Sequence, residues 1–200
     1  MADAFDAGYT EYQSQRSWLR KTVRRAYLES ARSLLHGPTL DFGCGIGELL
    51  ARLPSGSIGI EYNEATVAYC RERGLDVRWY DGVADDWRLS LLSESAGLKS
   101  MVISHVLEHF ETPMEILSAL LAAAQRLGIE RVLVIVPGRA GYRIDATHRT
   151  FIDRPMLEDD SVVAASGFGL TRARHFPIDL RALGDFFPHH ELQALFTRPA

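Results

Sequence analysis

Between Gln13 and Leu35 the apolar residues Trp18, Leu19, Val23, Tyr27, Leu28, Ala31 and Leu34 recur at spacings near three and four, with basic residues between them. This period predicts an amphipathic helix. His36, Gly37 and Pro38 end it, because glycine suits a left-handed cap and proline cannot continue the hydrogen-bond ladder. Short apolar runs then alternate with helical stretches. "TLDFG" predicts a buried strand and "IGELLARL" the helix after its glycine turn. "GSIGIEY" predicts a strand, "NEATVAYCRERG" a helix that Asn63 caps and Gly74 stops, and "LDVRWYDG" a third strand. "LKSMVISHVLEH" contains a fourth, "ETPMEILSALLAAAQRLG" a helix with Pro113 in its first turn, and "ERVLVIVPG" the most apolar strand.

This alternation predicts an α/β fold, a doubly wound and mostly parallel seven-stranded sheet with an N-terminal helix. The last two strands fall in "FGLTRARHFPI" and "HELQALFTR", after a helical stretch from Pro155 to Ser166. Between them and the core, "RAGYRIDATHRTFIDRP" is long, polar and rich in turn formers, as a loop covering a site would be. The expected organisation is one domain: a helical cap over 1–37, a core over 38–138, and a substrate loop with C-terminal strands over 139–200. The length of 200 residues and 46% hydrophobic content are enough for one buried core.

Charge narrows the function. A formal net charge of -4 with intermixed signs gives no basic stripe for phosphates, so nucleic acid is not expected as a partner. The two cysteines, Cys44 and Cys70, lack metal-ligand spacing and suggest neither a disulfide framework nor a zinc site. No apolar run reaches the about eighteen residues of a membrane span, and the N-terminus opens with acids rather than a signal region, so a cytoplasmic protein is expected.

Candidate chemistry starts at "LDFGCGIGELL". Gly43, Gly45 and Gly47 sit where the first strand turns into its helix, the place at which doubly wound sheets bind ligands. A dinucleotide fingerprint needs its third glycine at position 48, where Glu48 stands, and an acid there disfavours a pyrophosphate. A nicotinamide-dependent oxidoreductase is therefore disfavoured. An acidic loop suits a phosphate-free cofactor with a cationic end, as S-adenosylmethionine is, with Asp41 attracting the ammonium. Glu61, twenty residues on, ends the second strand, where a carboxylate meets a ribose diol.

Together "LDFGCGIGELL", "GIEYN", "DVRWYDG" and "VISHVLEHFETP" resemble the class I S-adenosylmethionine-dependent methyltransferases over roughly Leu40 to Gly138. The resemblance is strongest to the group carrying "LEH" after the fourth strand, which includes quinone-biosynthesis O-methyltransferases, and to the methionine-biosynthesis W-type proteins. It implies a cofactor site of Asp41, Gly43, Cys44, Gly45 and Gly47 for the methionine part, Glu61 and Tyr62 for the ribose, and Asp81, or else Asp85, for the adenine. Ser104 and His105 would border the cofactor from the fourth strand, and Tyr12 or Arg16 would close over it from the N-terminal segment, which also carries Tyr9. The product would be S-adenosylhomocysteine.

For methyl transfer the enzyme must position an acceptor and, for a poor nucleophile, remove its proton. His105, His109 and His148 are the candidate catalytic residues, the last in "DATHRTF" beside Asp145 and Arg149. The alternatives are that Glu108 and His109 orient a helix and that Asp145 and His148 hold their own loop together. In quinone O-methyltransferases a glutamate at the position of His105 joins the Glu-His pair in holding a divalent metal; with His105 there, no metal is expected. Gly138 and Gly141 would be hinges, Arg139 or Arg143 would hold an anionic acceptor, Trp18 and Tyr27 would face the core, Cys44 would be a packed neighbour of the cofactor, and His189 and His190 would form a solvated turn. The expected function is methyl transfer to a small-molecule or lipid-linked acceptor, at oxygen; the alternative is a regulatory partner protein that keeps the fold.

Overall fold

The computed structural model describes residues 18–164 and 166–198. The expectations for Tyr9, Tyr12 and Arg16 lie outside the described residues, as does the side chain of Trp18. Helix α1 (Trp18–Leu34) leads into β1 (Thr39–Phe42), β2 (Ile58–Glu61), α2 (Glu64–Glu72) and β3 (Val77–Trp79). Then follow β4 (Ser100–Ser104), α3 (Pro113–Arg126), β5 (Arg131–Pro137), the short helices α4 (Arg139–Arg143), α5 (Arg154–Leu157) and α6 (Asp160–Val163), β6 (Gly169–Phe176) and β7 (Glu191–Thr197). The strands form one seven-stranded sheet in the order β3-β2-β1-β4-β5-β7-β6. All neighbours are parallel except β7, which runs antiparallel to both β5 and β6.

The period of two along each strand sends alternate side chains to opposite faces. On β4, Met101 and Ile103 join the α3 side, with Ile116, Leu117, Leu120 and Leu121, while Val102 joins Leu28, Ala31 and Leu34 of α1. Helix α2 closes a third apolar cluster through Val67, Cys70, Leu50 and Val77. As predicted, Asn63 caps α2, accepting from the Thr66 N–H at 3.1 Å, and Gly74 follows it at φ +77°. No helix among the described residues is long and apolar enough to cross a membrane.

Two predicted elements differ. "IGELLARL" forms only a 3-10 turn over Leu50–Arg52, because Gly47 at φ +75° starts it late and Pro54 stops it. The stretch from Pro155 to Ser166 splits into α5 and α6, each begun by its own aspartate cap, Asp153 on Met156 N–H and Asp159 on Ser161 N–H.

Candidate functional site

The chain order reverses direction between β1 and β4, and a crevice opens there beyond their carboxyl ends, as the topology requires. Its volume is about 550 Å³, suited to a nucleoside-sized ligand. Asp41, Gly43, Cys44 and Gly45 line its floor. The loop is folded back by the Gly43 and Cys44 N–H groups, which donate to the Ile60 carbonyl at 2.9 and 3.1 Å. Gly43 has φ +67°, and a Cβ there would lie 2.5 Å from the Val106 Cγ2, so neither the turn nor the packing admits a side chain. Glu61 ties the loop to the next helix: one oxygen accepts from the Gly45 N–H and the other from the Asn63 N–H, both at 3.0 Å. Each oxygen keeps a second acceptor site, and Glu61 lines the cavity beside Tyr62.

Asp41 is 3% exposed, and its Oδ2 is among the buried side-chain atoms of the described residues with no hydrogen-bond partner. Burial pushes its pKa up to about 7, against the opposing charge of Arg24 and a hydrogen bond from the Leu50 backbone. Arg24 is itself engaged by Glu48 at 3.1 Å. An orphaned carboxylate oxygen on a cavity floor is a receptor for a cationic group.

At the far end, Asp81, Gly82, Val83, Trp87 and Phe110 line the wall. Asp81 Oδ1 accepts from the Val83 and Ala84 N–H groups at 3.0 and 3.1 Å, which fixes the turn and leaves Oδ2 for a ligand. The indole of Trp87 packs edge-on to Phe110 at 4.9 Å and covers Gly82, where a Cβ would lie 2.3 Å from the ring. Trp87 sits at φ +59° between Asp86 and Leu89, also at positive φ. Strain of this kind gathers at ligand sites. Asp85, the second adenine candidate, is turned into the structure, accepting from Tyr80 OH at 2.8 Å and Ser90 N–H at 3.0 Å.

At the mouth, Ser104, His105 and His109 line the cavity. His105 has φ +55°, a strained conformation costing about 1 kcal/mol. Its Nδ1 faces Glu108 Oε1 at 3.2 Å and its Nε2 faces Glu191 Oε2 at 3.4 Å. Burial opposes the charge, but the two carboxylates together outweigh it and push the pKa up to about 9. The raised pKa favours the imidazolium form of His105 at neutral pH, so among the three candidate histidines it is the one held charged. His109 shifts the other way: burial, and then the proximity of His148, hold it below the ordinary histidine value against the pull of Glu108. The shift favours its neutral form.

Two wall residues carried no signal of this role in the sequence. Tyr27, expected to face the core, lines the cavity and donates to the His189 carbonyl; burial, then Glu191, raise its pKa to about 12. Glu191 opens β7, and the antiparallel register pairs it with Pro137, which brings it to the carboxyl edge of the parallel strands.

The remaining candidates lie behind the wall. Gly47 does not line the cavity; a Cβ there would meet Leu75 Cδ1 at 2.5 Å. His148 is also absent from the wall. Its Nδ1 donates to the Tyr142 carbonyl at 2.8 Å, and its ring stacks on Tyr142 and meets His109. The loop over 139–155 is pinned rather than free, since Arg149 and Thr150 N–H groups donate to the Glu108 carbonyl at 2.7 and 3.1 Å. Gly138 and Gly141 are close-packing points, not hinges: a Cβ would lie 2.9 Å from His190 O and 2.6 Å from Pro188 O respectively. Arg139 pairs with Asp185 at 3.3 Å in a second cavity. His190 is buried, not solvated, with its Nε2 on the Ile178 carbonyl and its ring stacked on His175. Cys44 and Cys70, distant in sequence, both donate to the Gly45 carbonyl and are free thiols.

A search by sequence among curated proteins finds no significant match. Solved structures match over nearly the whole chain. A SAM-dependent methyltransferase from Archaeoglobus fulgidus has a TM-score of 0.67 at 19% identity, covering 96% of this chain and 100% of its own. Magnesium protoporphyrin IX methyltransferase from Synechocystis PCC 6803, with bound SAH, has a TM-score of 0.65 at 14% identity, covering 97% and 95%. A TehB-like SAM-dependent methyltransferase from Corynebacterium glutamicum has a TM-score of 0.58 at 18% identity, covering 97% and 100%. At these identities the likeness establishes the fold, that of the class I S-adenosylmethionine-dependent methyltransferases. The sequence profile described as Methionine biosynthesis protein MetW matches residues 27–142, more than half of the chain and all of the cofactor-side wall from Tyr27 to Phe110, and the chain belongs to that family.

Proposed function

We propose that the cavity binds S-adenosylmethionine and that the protein transfers its methyl group to a small-molecule or lipid-linked acceptor, at oxygen. The observation that carries the cofactor half is Asp41 Oδ2, buried and orphaned on the floor of a half-open cavity. An ammonium group supplies the missing donor. Glu61 has an acceptor site left on each oxygen for a ribose diol, Asp81 Oδ2 suits an exocyclic amine, and Trp87 with Phe110 gives an apolar wall for a base. The absence of a basic loop agrees with a cofactor lacking phosphate. When bound, the cofactor supplies an electrophilic methyl group on sulfonium.

The chain's own part in the chemistry lies at the mouth. His109, whose pKa burial holds below the ordinary histidine value, is the group on this wall suited to take a proton from an acceptor hydroxyl. His105, held between Glu108 and Glu191, is fixed in place on the same wall and shapes the mouth where an acceptor would enter. Calorimetric titration of S-adenosylmethionine and S-adenosylhomocysteine tests the cofactor half. Micromolar binding is expected, lost in Asp41→Ala and Glu61→Ala; no binding by the unaltered protein would sink the proposal. Binding without methyl transfer over a broad acceptor panel, together with a tightly co-purifying protein, would instead assign a regulatory role.

A further inference from the structure

Cys44 and Cys70 are the two cysteines of the chain, and neither has a part in the chemistry proposed above. Cys44 stands in the glycine loop between Gly43 and Gly45, lines the main cavity and is only partly buried. Cys70 is fully buried in the last turn of α2. The fold brings their sulfurs to one point. Both reach the Gly45 carbonyl, Cys44 Sγ at 3.6 Å and Cys70 Sγ at 3.3 Å, and the two thiols hydrogen-bond to each other. Two glycines leave room for them: a Cβ at Gly59 would lie 2.8 Å from Cys44 Sγ, and one at Gly47 would lie 3.4 Å from Cys70 Sγ.

Access separates the two sulfurs. A small oxidant that enters the cavity meets Cys44 first, because Cys70 has no exposed surface. Cys70 then stands directly behind it, the arrangement of an attacking and a resolving thiol. The hydrogen bond to Cys70, then burial and the charges of Asp41 and Glu61, hold the Cys44 thiol above its ordinary pKa, so its reaction is slow at neutral pH and quickens as pH rises. Two sulfurs in hydrogen-bond contact must approach to about 2.05 Å to bond. The loop is the side that yields, since Gly43 at φ +67° and Gly45 at φ +53° flank Cys44, whereas Cys70 is anchored in its helix. Closure therefore draws the loop toward α2.

We propose that Cys44 and Cys70 form an oxidation site, in which hydrogen peroxide entering the cavity joins them in a reversible disulfide that unfits the glycine loop for its ligand. The Cys44 sulfur, as thiolate, attacks one peroxide oxygen; the O–O bond breaks, and the departing hydroxide takes up the proton that Cys44 gave and leaves as water. The Cys70 sulfur then attacks the Cys44 sulfenic acid. The S–S bond forms as the S–O bond breaks, and the second hydroxide leaves as water with the Cys70 proton. Two thiols are oxidised, and one peroxide is reduced to two waters. Both S–H donors to the Gly45 carbonyl are thereby spent, and the shift of the loop carries the Gly45 N–H away from Glu61, on which it now donates at 3.0 Å. Disulfide formation does not depend on the cofactor; its effect on S-adenosylmethionine rests on the reading above.

The full chain, treated with hydrogen peroxide at about pH 8 and then alkylated under denaturing conditions, should be a monomer about 2 Da lighter by intact mass with neither cysteine alkylated. Dithiothreitol should restore both thiols. Cys44→Ser and Cys70→Ser should each fail to lose this mass, and in Cys70→Ser dimedone should label Cys44. Should the serine variants fail to fold, peptide mapping of the oxidised unaltered protein should still show the Cys44 and Cys70 peptides linked. Amide hydrogen exchange at Gly45 should rise on oxidation with no ligand present, and affinity for S-adenosylmethionine should fall about tenfold. Cysteines carried to sulfinic or sulfonic acid without linking, or linked only between chains, would overturn the site. Unchanged exchange at Gly45, or equal affinity of the reduced and oxidised forms, would overturn its effect on the loop. A reduced protein that does not bind S-adenosylmethionine would sink the cofactor reading instead, with the mass and exchange measurements still deciding the oxidation site.

Discussion

Asp41 is where burial and charge conflict most directly. Its pKa of about 7, raised from 3.8 by burial, means that the empty protein holds it partly protonated at neutral pH, whereas a bound ammonium requires it ionised. Cofactor affinity should therefore fall as pH drops from 8 to 6, and calorimetry across that range should show the dependence vanish in Asp41→Asn along with most of the binding. The same raised pKa means that the contribution of Asp41 to stability is fully present below about 3.8 and lost as pH rises through about 7. Without cofactor, Asp41→Asn should thus melt a few degrees higher than the unaltered protein at pH 8; an unchanged or lower melting temperature would speak against the buried, unpaired carboxylate. His105 obeys the same sign in a higher window. Its pKa rises from 6.5 to about 9, so its stabilisation is complete below 6.5 and disappears as pH climbs through 9. His105→Asn leaves Glu108 and Glu191 without their shared cation. At pH 7 it should cost about 1 kcal/mol, less than a fully buried pair because over a third of the side chain is exposed, and it should flatten the fall in melting temperature between pH 7 and 9.5. Asp41 and Glu61 were legible as cavity-lining residues because each lies at or next to the carboxyl end of a parallel strand, and strand ends are readable from apolar runs. Glu191 was not, since its place depends on the antiparallel register of a strand far along the chain.

At the level of elements, the helices and strands with strong periodicity were read correctly, and the errors fall where glycine or aspartate governs the backbone. "IGELLARL" has helical spacing, yet Gly47 and Pro54 leave room for only one 3-10 turn. This separates the three loop glycines by role. Gly43 and Gly45 border the cavity, whereas Gly47 packs against Leu75 and Cys70 of the α2 region, away from it. Gly47→Ala should therefore destabilise the fold by about 2 kcal/mol, from both the positive φ and the 2.5 Å approach to Leu75 Cδ1, visible as a lower denaturation midpoint. The Leu75→Ala partner change should recover part of that loss by removing the clash but not the backbone strain. Full recovery, or none, would mean that the glycine serves only one of these purposes. The polar stretch over 139–155 shows the complementary limit. Its turn-rich composition suggested a mobile cover, but composition does not reveal that Glu108 supplies its carbonyl to Arg149 and Thr150. What the loop delivers is His148 to the back of His109, a contact between segments that no local pattern encodes.

Over the whole molecule, one sheet joins the segments that line most of the cavity to a C-terminal pair of strands written in a different part of the chain. The family match ends at residue 142, before His148 and before β6 and β7. It would be natural to treat the core over 38–138 as a self-sufficient unit, but the packing argues otherwise. Strand β5 is buried from Val132 to Val136, and its outer edge pairs over seven residues with β7. Leu192, Ala194 and Phe196 of β7 extend the α3-side core, while Leu195 extends the α1 side, so both layers lose their continuation if the strand is absent. A fragment ending at Gly138 would present β5 as a long, flat, apolar edge, the arrangement most prone to pair with other chains. It would also take Glu191 away from His105 and Tyr27 at the cavity mouth. Expressed alone, that fragment should run as soluble aggregate in size-exclusion chromatography and show no cooperative thermal transition, with or without S-adenosylmethionine. A monomeric fragment that melts cooperatively and binds the cofactor would mean instead that β7 is an addition to an independent cofactor domain, and that the acid it carries entered the site later than the fold.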